Sequence, residues 1–256
     1  MKKYKFLISY DGTDFEGWQR QLEGKPTVQG AIERAIAQIC SEPIKVIGSG
    51  RTDSGVHAEG QVFHFKTDKE LNRNFIKSMN SILPHSISVL NGWEAPDEFH
   101  AQISAISKTY RYLIHNSQVP NALRRRYTTW QRRELNIDNL NAICEPLIGT
   151  HDFKSFQTAG TGVKTSIRTI TEAHWKLIGP ELIEFRVTGT GFLKQMIRNI
   201  VGTAIHLHQI GQGPKEMSAI LNELDRQAAK ATAPPTGLYL HRVEYPSDLD
   251  NKCREL

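Results

Sequence analysis

Two hydrophobic periods alternate along this chain in a set order, and that order limits the folds open to it. Residues 3–10 place Tyr4, Phe6 and Ile8 at every second position and end at the turn pair Asp11-Gly12, the pattern of a half-buried strand. Val28, Ile32, Ala35, Ile36 and Ile39 then share one helical stripe, which Pro43 closes. Residues 44–49 and 61–67 read as strands. Phe75, Ile76, Met79 and Ile82 form a second helical stripe before Pro84, and residues 87–93 read as a strand again. Strand, helix, strand, strand, helix, strand is the order of the ferredoxin-like unit, one antiparallel sheet covered by two helices on a single face.

The order then recurs. Residues 109–115 alternate through Tyr110, Tyr112 and Ile114; residues 136–148 read as a helix; residues 168–178 and 182–188 read as strands. Phe192, Met196, Ile197, Ile200, Val201, Ala204 and Ile205 line one helical face, a shorter helix covers 214–224, and 237–243 is the last strand. The expected fold is therefore α+β: two ferredoxin-like halves, 1–103 and 104–256, with mainly antiparallel sheets. If each half leaves one sheet face bare, a cleft between them follows.

Composition excludes several classes. The chain of 256 residues is 39% hydrophobic and 23% charged, with no apolar run near the 18 or so residues of a membrane span. Met1-Lys2-Lys3-Tyr4-Lys5 runs straight into a strand pattern without a secretory apolar segment, so the cytoplasm is the expected compartment. Cys40, Cys144 and Cys253 form no C-x-x-C pair, which argues for free thiols and against a zinc ribbon. A net charge of +5 suits a polyanionic partner without requiring one.

Between the second and third strands lies Gly48-Ser49-Gly50-Arg51-Thr52-Asp53-Ser54-Gly55-Val56-His57-Ala58-Glu59-Gly60. Its glycines permit positive φ or close approach of another group, and they surround one carboxylate, Asp53, and one guanidinium, Arg51. Two readings stay open on the segment alone: an Asx turn in which Asp53 bonds its own backbone, or a carboxylate presented for chemistry. Residues 48–58 resemble the active-site signature of the TruA family of tRNA pseudouridine synthases, with Asp53 at the family's catalytic aspartate. Similar pieces follow in family order at 10–21, 99–112, 152–156, 191–202 and 232–240, so the resemblance covers nearly the whole chain.

The resemblance implies isomerisation of uridine to pseudouridine at positions 38, 39 and 40 of the tRNA anticodon stem-loop, by a homodimer with no cofactor and no metal. Such a reaction breaks the N1 glycosidic bond, turns the base and rejoins it through C5. It needs a carboxylate to attack or deprotonate, groups that hold the freed base, and a base for the C5 proton. The family likeness gives Asp53 the first role. Arg198 matches the arginine expected to pair with that aspartate, and a bidentate pair fixes orientation as well as charge. On spacing alone the commoner reading of such an arginine is a solvated stripe with Lys194 and Gly202, and it is the resemblance that favours the pairing. Arg51 matches the residue that reaches into RNA to extrude the target nucleotide. Tyr110 matches a tyrosine that stacks on the flipped uracil, a contact worth about 1–3 kcal/mol, although its alternation also suits a core strand. Tyr112 stays in the core, and Leu240 matches a strand that walls the pocket.

Arg124, Arg125, Arg126, Arg132, Arg133, Lys164 and Arg168 are further basic candidates for RNA contact. The 10–21 segment matches a family loop near RNA, or caps the sheet with Trp18. Two positions depart from the family pattern: Gln102 where an arginine is common, and Ser86 where an aspartate is usual. A rival reading is a non-catalytic RRM-like RNA-binding protein, from Gly60-Gln61-Val62-Phe63-His64-Phe65, but it gives Asp53 no purpose. A zinc deaminase is rejected: His57-Ala58-Glu59 fits H-x-E, yet no Pro-Cys-x-x-Cys completes the ligand set.

Overall fold

The computed structural model describes residues 1–21, 24–158 and 164–256. In chain order its main elements are β1 (Lys2–Tyr10), α1 (Val28–Cys40), β2 (Ile47–Gly48), β3 (His57–Thr67), α2 (Arg73–Ile82), β4 (Ile87–Ala95), β5 (Ser107–Asn116), β6 (Thr129–Gln131), α3 (Ile137–Cys144), β7 (Gly149–Asp152), β8 (Ile167–Gly179), β9 (Leu182–Gly189), α4 (Met196–Gln209), α5 (Pro214–Glu223), β10 (Leu238–Glu244), α6 (Ser247–Asp250) and β11 (Arg254–Glu255). The protein is α+β, with mostly antiparallel strand pairs. It divides into two compact units, Met1–Lys108 with Tyr239–Leu256, and Thr109–Leu238. The C-terminal residues, assigned by sequence to the second half, thus cluster with the first. The cause is non-local: β10 pairs in parallel with β3 through Tyr239↔His57 and Leu240↔Ala58.

In the first unit the strands run β11-β4-β1-β3, and the outer edge of β3 is shared by β10 at its start and β2 further on. Phe6, Phe63 and Phe65 stack on one sheet face at 5.3–5.5 Å, and Phe75 of α2 packs onto Phe6 at 5.5 Å. Burying such rings contributes roughly 2–3 kcal/mol each. Thr27 caps α1 by accepting from Gly30 N, and Ser41 at φ 57 ends that helix ahead of Pro43. The strand expected over 44–49 shrinks to β2. Val46 explains this, because its N–H donates to Glu33 Oε1 at 3.1 Å and its carbonyl accepts from Gln29 Nε2 at 3.2 Å, so α1 side chains replace the ladder.

The second face of this sheet, expected bare, is covered. Val62, Ala95, Phe99, Ala101, Tyr245 and Leu249 form a buried cluster there, with Leu7 packed against it. Lys5, also on that face, holds Asp250 at 2.6 Å, and its ammonium lies 4.7 Å from the Tyr245 ring centre and 5.3 Å from that of Phe99.

In the second unit the strands run β5-β9-β8-β7, with β6 parallel to the end of β5. The apolar faces of α3, α4 and α5 bury Leu140, Ile143, Ile200, Val201, Leu207, Met217 and Leu221, and Trp175 stacks near Phe185 at 4.7 Å. Helix α4 starts at Met196, leaving Phe192 and Leu193 outside it. Gln195 at φ 59 sets that start, since a residue in the left-handed region cannot continue the helix backward.

Candidate active site

Asp53 stands half-buried on the loop between β2 and β3, with Arg51 exposed two residues before it. The loop turns at Gly55, whose φ of +74° is left-handed, and Val56 N closes the turn by donating to Asp53 O at 3.1 Å. A second segment, residues 10–18, clamps it. Trp18 N donates to Thr52 O at 3.1 Å, Gly55 N donates to Phe15 O at 3.2 Å, and Ser54 Oγ donates to the same carbonyl at 3.2 Å. The Tyr10 hydroxyl bonds Thr52 Oγ1 at 2.8 Å, and burial pushes the Tyr10 phenol up to about 12, so it stays protonated at neutral pH.

The approach is close enough to require glycine. A Cβ on Gly17 would lie 2.6 Å from Thr52 O, and one on Gly12 would lie 2.0 Å from Val56 O. Trp18 packs over Gly48, where a Cβ would meet its ring at 2.5 Å. The 10–21 segment therefore holds the Asp53 loop in place, and Trp18 seats it on the sheet.

Other groups steady the loop's shoulders. Ser49 Oγ donates to Gln61 Oε1 at 2.7 Å, Gln61 Nε2 donates to Gly50 O at 2.9 Å, and Lys108 Nζ donates to Ser49 O at 2.6 Å. His57 accepts from Gly12 N at 3.1 Å through Nδ1 and stacks on Tyr239 at 4.7 Å. Sequence reasoning missed Tyr10, Thr52 and Lys108 as positioning groups. A signal existed, since all three lie inside family-like pieces. Leu240 is fully buried in β10.

Tyr110 and Arg198 lie in the second unit. Tyr110 is buried on β5, its ring edge-to-face with Phe192 at 5.2 Å. Arg198, half-buried on α4, donates from Nε to Ala233 O at 2.8 Å, and Ala233 N donates back to Arg198 O at 2.9 Å. Its helix face is not a solvated stripe. Lys194 precedes the helix, and Gly202 is buried so tightly that a Cβ would sit 2.0 Å from Ala231 O. Tyr112, left in the core by sequence, donates to Pro234 O at 2.8 Å; burial raises its phenol pKa against the opposing charge of Arg198. Asn199 and Arg226 tie the same segment through Thr232, with Thr232 Oγ1 donating to Asn199 Oδ1 at 2.7 Å.

The two departures from the family pattern are quiet here. Gln102 is exposed, and Ser86 contributes its carbonyl, which accepts from Asp11 N at 2.9 Å. Arg168 spends its Nη1 on the carbonyls of Thr165 and Ile167. Among the described residues no group of three His, Cys, Asp or Glu side chains is placed to hold a metal ion, and no helix is long and apolar enough to cross a membrane.

The class of protein is α+β, with a half-buried carboxylate on a glycine-turned loop held against the sheet of the first unit, an arrangement in which an enzyme can present an acidic group. A family profile described as tRNA pseudouridine synthase matches residues 7–102 and 143–246. Curated relatives agree along the whole length. "tRNA pseudouridine synthase A" of Bdellovibrio bacteriovorus is 46% identical over 99% of both chains. The Geobacillus kaustophilus protein of that name is 42% identical over 96% of each, and "tRNA pseudouridine synthase A 2" of Clostridium perfringens is 40% identical over 96% of this chain and all of its own. The chain belongs to the tRNA pseudouridine synthase family, in its TruA branch of isomerases.

Proposed function

We propose that this chain isomerises uridine to pseudouridine in tRNA at positions 38, 39 and 40 of the anticodon stem-loop, with Asp53 as its essential carboxylate. The observation that carries the reading is the clamp on the Asp53 loop. Four hydrogen bonds with residues 10–18 and two glycine close approaches hold the loop that carries the half-exposed carboxylate. At about 0.5–1.5 kcal/mol net each, such bonds outweigh the ordering entropy of one or two residues. Fixing the carboxylate beforehand lowers the reorganisation needed to meet the sugar or base.

In the reaction no atoms are gained overall. The N1–C1′ bond breaks, the base turns, C5 bonds to C1′, and the C5 proton is lost while N1 regains one. Asp53 initiates this step. Arg51, exposed beside it, enters the RNA to extrude the nucleotide; Tyr110 contacts the freed uracil; Arg198 binds in the substrate site as the cation that supports the carboxylate. The two βαββαβ stretches are ferredoxin-like halves, the second taking β10 as its last strand in sequence order. The working form is a cytoplasmic homodimer that needs no cofactor.

The test uses tRNA tritiated at uracil C5. Wild type should release tritium to water, whereas Asp53→Asn should reduce release by at least a hundredfold with tRNA affinity within a factor of two or so. Release at a tenth of the wild-type rate rules Asp53 out as the central group. Loss of tRNA binding together with activity favours a role in RNA binding.

A further inference from the structure

The chain carries a formal net charge of +5, and residues 117–133 contain five arginines with no Asp, Glu, Lys or His. This one segment therefore accounts for the whole excess, and the remainder is formally neutral. It is folded. β6 runs beside the end of β5, pairing Ile114↔Thr129, His115↔Trp130 and Asn116↔Gln131. A turn ahead of it is closed by Tyr127 N and Thr128 N, both donating to Arg124 O at 2.9 Å. Asn116 Nδ2 donates to the carbonyls of Gln131 at 2.7 Å and Arg133 at 2.8 Å.

On this frame Arg125, Arg126, Arg132 and Arg133 are exposed, while Arg124 leans toward His115 at 3.5 Å. Trp130 is 42% exposed, and its Nε1 donates to Ser117 O at 3.0 Å, which orients the indole while leaving much of the ring open. Tyr127 is 43% exposed. A segment that exposes guanidinium groups together with aromatic rings suits a nucleic-acid strand, whose phosphates pair with the former and whose bases or riboses pack on the latter.

Position joins this surface to the substrate. Tyr110 lies on β5, and the paired residues 114–116 follow four to six positions later on the same strand, roughly 13–20 Å away at ~3.3 Å per residue. That is about four to six steps of a duplex at roughly 3.4 Å each. We infer that residues 124–133 form a second RNA-contact surface, which grips the tRNA backbone a few nucleotides from the base at Tyr110 and supplies binding, not chemistry. The inference rests on the reading of Tyr110 as a substrate contact.

The test compares wild type with a fourfold variant, Arg125→Gln, Arg126→Gln, Arg132→Gln and Arg133→Gln, and with its fourfold Lys counterpart. An unmodified tRNA transcript serves for fluorescence anisotropy and, tritiated at C5, for turnover, between roughly 50 and 200 mM salt. The Gln variant should flatten the slope of log K against log[salt] by about 0.7–0.9 for each phosphate that is no longer neutralised. Its KM should rise about tenfold or more with saturating turnover unchanged, and the Lys variant should keep the wild-type slope. Trp130→Ala should weaken binding roughly tenfold with the slope preserved. A Gln variant with wild-type slope and KM overturns the inference, as does a change of oligomeric state in sedimentation with the slope intact, which would make this a self-association surface. If wild type binds tRNA with the expected slope but releases no tritium, the activity reading fails while the RNA surface stands.

Discussion

The Asp53 loop is held by residues distant from it in sequence, and His64 shows the same dependence on distant groups. His64 Nδ1 accepts from Ala101 N at 3.1 Å, with its ring against Phe99 and His100. Burial, and then the nearby His100, Lys3 and Lys66, lower its pKa to about 4. The unfolded chain takes up this proton below about 6.5, whereas the folded chain resists until about 4, so stability is present above 6.5 and is lost as pH falls through that window. The expected loss is roughly 3 kcal/mol between pH 6.5 and 4. Urea melts of wild type and His64→Asn at pH 7, 5.5 and 4 check it: the variant should lose this pH dependence, and parallel curves would remove His64 from the account. Sequence marked residues 99–101 only as the start of the family-like piece 99–112. Its purpose was hidden, because the partner His64 lies 37 positions away in the chain and no local period encodes that pairing.

At the scale of elements, period and punctuation reveal the long strands and helices, whereas the short β6, β7, α6 and β11 carry too few residues to show a period, and the helix read over 136–148 ends at Cys144. Two further misses have a physical cause. β2 is short because side chains of α1 take the backbone groups of Val46, and α4 begins late because Gln195 is left-handed. Neither long-range capture nor a non-glycine positive φ leaves a mark in hydrophobic pattern. The clamp of residues 10–18 on the Asp53 loop was likewise half legible: the glycines were plain, but which backbone each one meets was not. Gly17→Ala tests the clamp. A methyl there faces a φ of +86° and Thr52 O at 2.6 Å, so the loop must shift, with about 1–3 kcal/mol of destabilisation. Tritium release at saturating tRNA should fall at least tenfold while KM changes little. Gly24→Ala is the control, since its φ is +67° but nothing lies within 4 Å of the added carbon. Equal effects on turnover from both variants would show that backbone strain alone, not the clamp, sets activity.

For the molecule as a whole, the first unit is discontinuous in sequence: Met1–Lys108 is completed by Tyr239–Leu256, which is synthesised after the entire second unit. Those last residues are bound firmly. Tyr245 OH donates to Ala101 O at 2.7 Å, Leu249 is buried, and Lys5 holds Asp250 at 2.6 Å. Beyond them, Lys252 pairs with Glu98 at 2.9 Å and Leu256 N donates to Gly92 O at 3.1 Å. Burial of Tyr245 and Leu249 alone contributes about 3–6 kcal/mol, a large share of an ordinary domain's stability. The exposed ion pairs add little. Deleting residues 245–256 should therefore uncover Val62, Phe99 and Ala101 and loosen the first unit selectively. Native-state hydrogen exchange is the measurement, because it separates local opening from global unfolding. In the truncated chain, amides of β1, β3 and β4 should lose protection by two orders of magnitude or more, while those of β8 and β9, paired within the second unit, should keep theirs. Tyr245→Phe, which keeps the ring and removes only the hydroxyl bond to Ala101, should reproduce about 1–2 kcal/mol of that effect. Unchanged protection in β1 and β3 after truncation would mean that the first unit is complete without its C-terminal residues, and uniform loss across both units would mean that the two unfold as one.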